Sequence, residues 1–186
     1  PGSGGTCSTS LAASNNCTVV VTYAPTAVAV HNDTLEITFN NGVSGGQSST
    51  RDITGTALAP ASLTISDGST YDFGTVVTTG ASEKSFTITN GGGIAATSMS
   101  GSGLAAPFTF KGGSYPGTGG TCSTSLAAAG TCTIVVRFNP TVDGSYSDTI
   151  NINYNDGASA QVAVRDLAGV GAPPASLSIS DGATFD

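Results

Sequence analysis

The sequence predicts an all-β chain of tandem two-sheet sandwiches, and three observations predict it. Val, Ile, Thr, Phe and Tyr fall in short alternating runs separated by Gly, Asn, Asp and Pro, with no helical periodicity. The chain repeats itself: at an offset of 115, 23 positions of residues 1–43 are identical. The offset becomes 114 from Arg51, and 13 of 22 positions match through Asp72. Each copy also carries two cysteines ten residues apart, Cys7 and Cys17 in GGTCSTSLAASNNCTVVV and Cys122 and Cys132 in GGTCSTSLAAAGTCTIVV.

A period near 114 residues is too long for a solenoid unit and suits a whole domain. In that phase residues 1–61 read as the C-terminal half of one repeat, 62–174 as a complete repeat and 175–186 as the first strand of the next. The chain therefore reads as a window on a longer array. A half-repeat exposes an apolar face and a raw sheet edge. Three explanations suit the odd ends: an arbitrary cut through the array, a chain limited to its ordered part, or half-repeats completed by a neighbouring chain, and the sequence is compatible with all three.

The cysteines read as two local disulfides, Cys7–Cys17 and Cys122–Cys132, because small domains with modest cores use such staples. A zinc site is the competing reading. It wants shorter spacings and further Cys or His ligands, and the single histidine, His31, is replaced by Tyr146 in the other copy. The disulfide reading places the protein outside the cell or on its surface.

Composition narrows the classes. Charged residues are 9% of the chain, against about 25% in ordinary soluble domains. Ser and Thr number 51 and Gly 26, which suits a hydroxyl-covered β surface. Net charge is −7, and the five basic residues are scattered, so no patch is available for nucleic-acid phosphates. No apolar run approaches the ~20 residues of a membrane-spanning helix.

Within the complete repeat the elements follow in order. SLTI (62–65) is a short strand, and Asp67-Gly68 turns it. YDFGTVV (71–77) is an edge segment with Gly74 as a kink or bulge. SEKSFTITN (82–90) alternates with Phe86 and Ile88 inward. Ile94–Ser100 is a weaker strand, and PFTFKG (107–112) puts Phe108 and Phe110 on one face. After the clamp, Cys132, Ile134, Val136 and Phe138 share the inward face until Pro140 ends the strand. Residues 142–154 point Tyr146, Ile150, Ile152 and Tyr154 inward, and Asn155-Asp156-Gly157 turns the chain. In QVAVRDLAG the inward parity changes between Val164 and Leu167, which predicts a bulge. Seven to eight short strands of this kind close as a sandwich of immunoglobulin type.

The order DFGTV, C…LAAG-x-C, F-x-P, G-x-YSDTI and a closing G-x-G resembles the bacterial ASPM/Hydin-type immunoglobulin-like repeats, relatives of the major-sperm-protein fold often found in choice-of-anchor surface proteins. Phe73, Gly74, Cys122, Cys132, Phe138, Pro140, Gly144 and Gly169 carry the resemblance. It implies a seven-stranded sandwich used as a spacer or adhesion module, with no catalytic residues and no cofactor.

Other candidate sites are few. Asp67 and Asp72, echoed by Asp181 and Asp186, flank a glycine turn where calcium could sit, but the metal needs six or more oxygens and a polar turn is the simpler reading. Asp148 lies on the inward parity, with Lys111 or Arg137 as potential partners and a Lys–Asp amide crosslink as the extreme case. A nucleophile beside an oriented base is missing, so no enzyme is expected. The leading expectation is a structural module of an extracellular bacterial stalk, fibre or filament. Its partners are copies of itself, joined end to end or by strand complementation. The alternative is an adhesin that binds glycan or protein through its loops, with Tyr115 in the loop 113–117 as the exposed aromatic.

Overall fold

The computed structural model describes residues 1–180. The chain divides into two units, Pro1–Leu58 and a second beginning at Ala59. Every regular element among the described residues is a strand.

In the first unit β1 (Val30–Phe39) and β2 (Gln47–Thr56) form an antiparallel ribbon, from Val30 opposite Thr56 to Phe39 opposite Gln47. Asn40 and Asn41 make the turn between them: Asn40 Oδ1 accepts the Gly42 N–H at 2.8 Å, and Asn41 Oδ1 accepts those of Val43 and Ser44 at 3.0 and 2.9 Å. Gly42 has φ +87°, the left-handed region where a side chain is strained. Residues 17–23 carry the β-branched run that follows the clamp, yet they belong to no strand.

The second unit is a sandwich of eight strands. They are β3 (Leu63–Ile65), β4 (Thr70–Val77), β5 (Ser82–Asn90), β6 (Thr97–Ser102), β7 (Phe108–Phe110), β8 (Thr131–Phe138), β9 (Gly144–Asn155) and β10 (Ala160–Ala172). One sheet has the order β4-β10-β9-β6 and the other β3-β5-β8-β7. All pairings are antiparallel except β4 with β10. The inward faces hold the expected residues: Phe86, Ile88, Ile134, Val136, Phe138, Ile150 and Ile152 are fully buried, and both sheets contribute to one apolar cluster. Aromatic rings form its centre, with Phe108 stacked 4.7 Å from Phe138 and Phe73 tilted against both at 5.8 and 5.7 Å.

Gly74 behaves as anticipated. It has φ +71°, its N–H is accepted by Asp72 Oδ1 at 2.8 Å, and the β4–β10 register slips beside it, between Ala168 and Val170. The bulge expected between Val164 and Leu167 is absent. β10 pairs with β9 without interruption from Ala160 to Gly171. Ala163, Arg165 and Leu167 face inward, and Val162 and Val164 stay 52% and 59% exposed. The reason is cross-strand crowding: Ala163 lies opposite Ile152 and Arg165 opposite Ile150, so the bulk needed there already comes from β9.

Residues 175–179, which repeat the sequence of β3, lie outside any strand, with Leu177 98% and Ile179 88% exposed. Residues 181–186, including Asp181 and Asp186, lie outside the described residues.

Candidate functional site

The clamp is built from local sequence. Disulfides join Cys7 to Cys17 and Cys122 to Cys132, each with Cα atoms 4.8 Å apart. A threonine pair closes each one: Thr6 and Thr18 hydroxyls are 3.1 Å apart, and Thr121 and Thr133 hydroxyls 3.2 Å. In each pair the later residue's N–H also donates to its partner's hydroxyl at 2.9 Å. Both sulfurs of the second clamp belong to residues buried in the core, at 5% and 8% exposure.

Tyr115 is not the exposed aromatic expected of its loop. Its ring meets Phe110 edge-on at 5.8 Å, and its hydroxyl donates to the Ser123 carbonyl at 3.2 Å. Burial pushes the phenol pKa up. The loop is thereby a strut that ties β7 to the clamp.

The aspartates have local structural partners. Asp67 takes hydrogen bonds from the Ser66 hydroxyl and the Lys84 ammonium, the latter at 2.9 Å, and these hold its carboxyl below the usual range. The same bond to Asp67 raises Lys84, whose ammonium also lies 4.8 Å above the Tyr71 ring. A lysine therefore stands where calcium was considered. Among the described residues no cluster of three or more His, Cys, Asp or Glu could hold a metal ion. Asp148 accepts the Ala105 and Thr149 N–H groups, both at 2.8 Å, and Lys111 pairs with Glu83 at 2.7 Å, so neither is arranged for an amide crosslink.

Two buried polar residues were not singled out by sequence reasoning. Asn90, fully buried, donates to the carbonyls of Ile94, Leu126 and Ala127 and accepts the Ser62 and Gly92 N–H groups. It pins the glycine run 91–93 to the start of the domain. Gly92 is required there because a Cβ would collide with the Pro60 carbonyl oxygen. Its signal, an Asn at the end of an alternating strand before three glycines, was readable as a cap. Arg165, 5% exposed, donates to the Ile65 carbonyl and leaves its Nε without a partner. Nothing in the local pattern separates it from a solvent-facing arginine.

A groove of about 490 Å³ lies in the first unit, lined by Tyr23, His31, Ile53 and Gly55 among others. The Tyr23 hydroxyl is 2.8 Å from His31 Nδ1. Tyr23, Ile37 and Phe39 are 48%, 44% and 47% exposed. The groove offers aromatic surface and the edge of β2. Among the described residues no helix is long and apolar enough to cross a membrane.

The family model described as HYDIN/CFA65/VesB-like, Ig-like domain matches residues 64–166. No curated protein matches the chain. Similar solved structures include a PapD-like domain of human CEP192, 19% identical over 62% of this chain and 89% of its own, with a TM-score of 0.47. The Vibrio cholerae VesB protease is 18% identical over 60% of this chain and 32% of its own, with a TM-score of 0.47. A protein of unknown function from Porphyromonas gingivalis W83 is 13% identical over 80% and 68%, also at 0.47.

Proposed function

Because this chain belongs to the HYDIN/CFA65/VesB-like family of Ig-like domains, we propose that it is a structural module of an extracellular bacterial stalk, fibre or filament. Its parent on this reading is a surface protein of the choice-of-anchor kind, and its partners are copies of the same repeat. The load is carried by strand ladders and by a clamp in each unit. The two disulfides favour an oxidising compartment outside the cell.

One observation carries the reading: the two units are built to one plan. Val30 opposite Thr56 and Phe39 opposite Gln47 in the first ribbon correspond to Ser145 opposite Val170 and Tyr154 opposite Gln161 in the second. A module reused in tandem needs such sameness, because each junction then repeats the previous one. Residues 1–61 are on this view the C-terminal half of a repeat whose remaining strands come from another copy. The adhesin alternative is less well supported, since the loop it relied on holds Tyr115 against the domain.

Light scattering and electron microscopy of the full chain test the proposal. End-to-end assemblies that lengthen with concentration are the expected result. A chain that stays monomeric at every concentration sinks self-assembly. Saturable glycan-array binding that Tyr115→Ala removes would turn the choice to the adhesin.

A further inference from the structure

The second unit displays what the first unit lacks. In it β10 has β9 on one side and β4, parallel, on the other. In the first unit β2 has β1 on one side, and among the described residues no strand pairs with its other edge. The environment of that edge is already formed. Gly55 and Gly169 occupy equivalent places, because a Cβ on Gly55 would lie 2.6 Å from the Tyr23 ring and one on Gly169 2.7 Å from the Phe138 ring. Tyr23 meets His31 at 5.8 Å between ring centroids, as Phe138 meets Tyr146 at 5.9 Å. Gly2 and Gly117 match as well: a Cβ on either would collide with a valine carbonyl oxygen, that of Val20 or Val135.

Within this shared frame the missing parts can be named. Phe138 is covered by Phe73 of β4 and Phe108 of β7, and is fully buried. Tyr23, its counterpart, borders the 490 Å³ groove and is 48% exposed. The groove therefore lies beside the counterpart of the ring that Phe73 and Phe108 cover in the second unit.

Resting on the half-repeat reading above, we propose that this groove is the seat of a Tyr-Asp-Phe-Gly-Thr-Val-Val strand from the first half of another copy of the repeat. The strand runs parallel to β2. Its register is that of β4 on β10: the Thr70 equivalent opposite Asp52, the Tyr71 equivalent opposite Ile53 and the Asp72 equivalent opposite Thr54. The Phe73 equivalent lies against Tyr23. Parallel addition to an open edge supplies backbone hydrogen bonds, and the aromatic in the groove supplies selectivity.

The test extends the full chain by a copy of residues 59–115 fused ahead of Pro1, which aligns with Pro116. Amide exchange within residues 17–23 and 47–56 is the first readout. It is expected to slow by about 100-fold relative to the unextended chain, and by much less when the added copy carries Phe73→Ala. Register is read separately, so that a poorly folded variant does not decide the matter. Thr54→Cys with Asp72→Cys in the added copy is expected to crosslink under mild oxidation, and Thr54→Cys with Val76→Cys is not. Slowed exchange with the wrong crosslink overturns the register and leaves the half-repeat reading standing. Unchanged exchange overturns both. Slow exchange already present in the unextended chain at dilutions where it is monomeric would mean that the edge is covered without an added strand, and would also overturn the proposal.

Discussion

Both units close their clamp with a threonine pair, and both hold the ribbon with one threonine on one aspartate: Thr34 to Asp52 at 2.9 Å, Thr149 to Asp166 at 2.8 Å. Both turn on an asparagine that accepts a glycine N–H at 2.8 Å, Asn40 with Gly42 and Asn155 with Gly157. Their burial differs completely. Ile152 is fully buried and Ile37 44% exposed; Tyr154 is 9% exposed and Phe39 47%. The run 131–138 is a strand between β5 and β7, whereas 17–23, with neither neighbour, is not. Local hydrogen bonds thus form from residues close along the chain, while burial requires two sheets facing one another, which the second unit has. Stability should follow burial, at roughly 25 cal/mol per Å² of apolar area.

The largest expected effect breaks the comparison if it fails. Phe138→Ala should destabilise the second unit by about 3–5 kcal/mol in urea unfolding, because it opens a cavity in the aromatic centre. Tyr23→Ala should change stability by less than about 0.5 kcal/mol, as exposed substitutions do. Equal losses would mean that Tyr23 is covered in solution and that the two units do not differ as described.

Removing the second clamp with Cys122→Ser and Cys132→Ser should cost about 3 kcal/mol on the chain-entropy account of a ten-residue loop. The matching change at Cys7 and Cys17 should leave the unfolding midpoint of the second unit unmoved. A shift of that midpoint would show that the units unfold as one.

Asn90→Ala should destabilise by about 1–3 kcal/mol, since it strands the Ser62 and Gly92 N–H groups in the interior. Calorimetry that finds the variant as stable as the parent would remove Asn90 from its role as anchor of the glycine run.

The smallest effect is in acid. Asp67 and Asp156 have carboxyls held below their ordinary values, Asp67 by the Ser66 hydroxyl and Lys84, and Asp156 by the N–H groups of Ser159 and Ala158. A depressed folded-state pKa contributes stability that is present above the unfolded value and lost as pH falls through the folded one. The second unit should therefore weaken below about pH 4, the ordinary aspartate range. Asp67→Asn should flatten part of that slope. An unaltered acid limb would show that Asp67 gains nothing from its partners on folding.

Much of this was legible along the chain. The alternation of Phe86 and Ile88, and of Cys132 through Phe138, has the period that a half-buried strand imposes, and the structure buries those residues. Gly74 marked its register slip because a left-handed residue cannot continue a flat ladder. The failures have one cause. The parity change between Val164 and Leu167 read as a bulge, yet Ala163 and Arg165 take the inward places opposite Ile152 and Ile150 and the ladder runs on unbroken. Tyr115 read as a free loop aromatic, yet Phe110 and the clamp backbone lie within its reach.

By itself the sequence determined the β class, the clamps and the turns, because each depends on backbone preferences and contacts between residues near one another. The tertiary structure alone decided that Arg165 enters the core, that Asn90 anchors a glycine run, and that one unit is covered and the other open. Those outcomes depend on which side chains arrive from strands distant in the chain, and volume and desolvation are settled only where they meet.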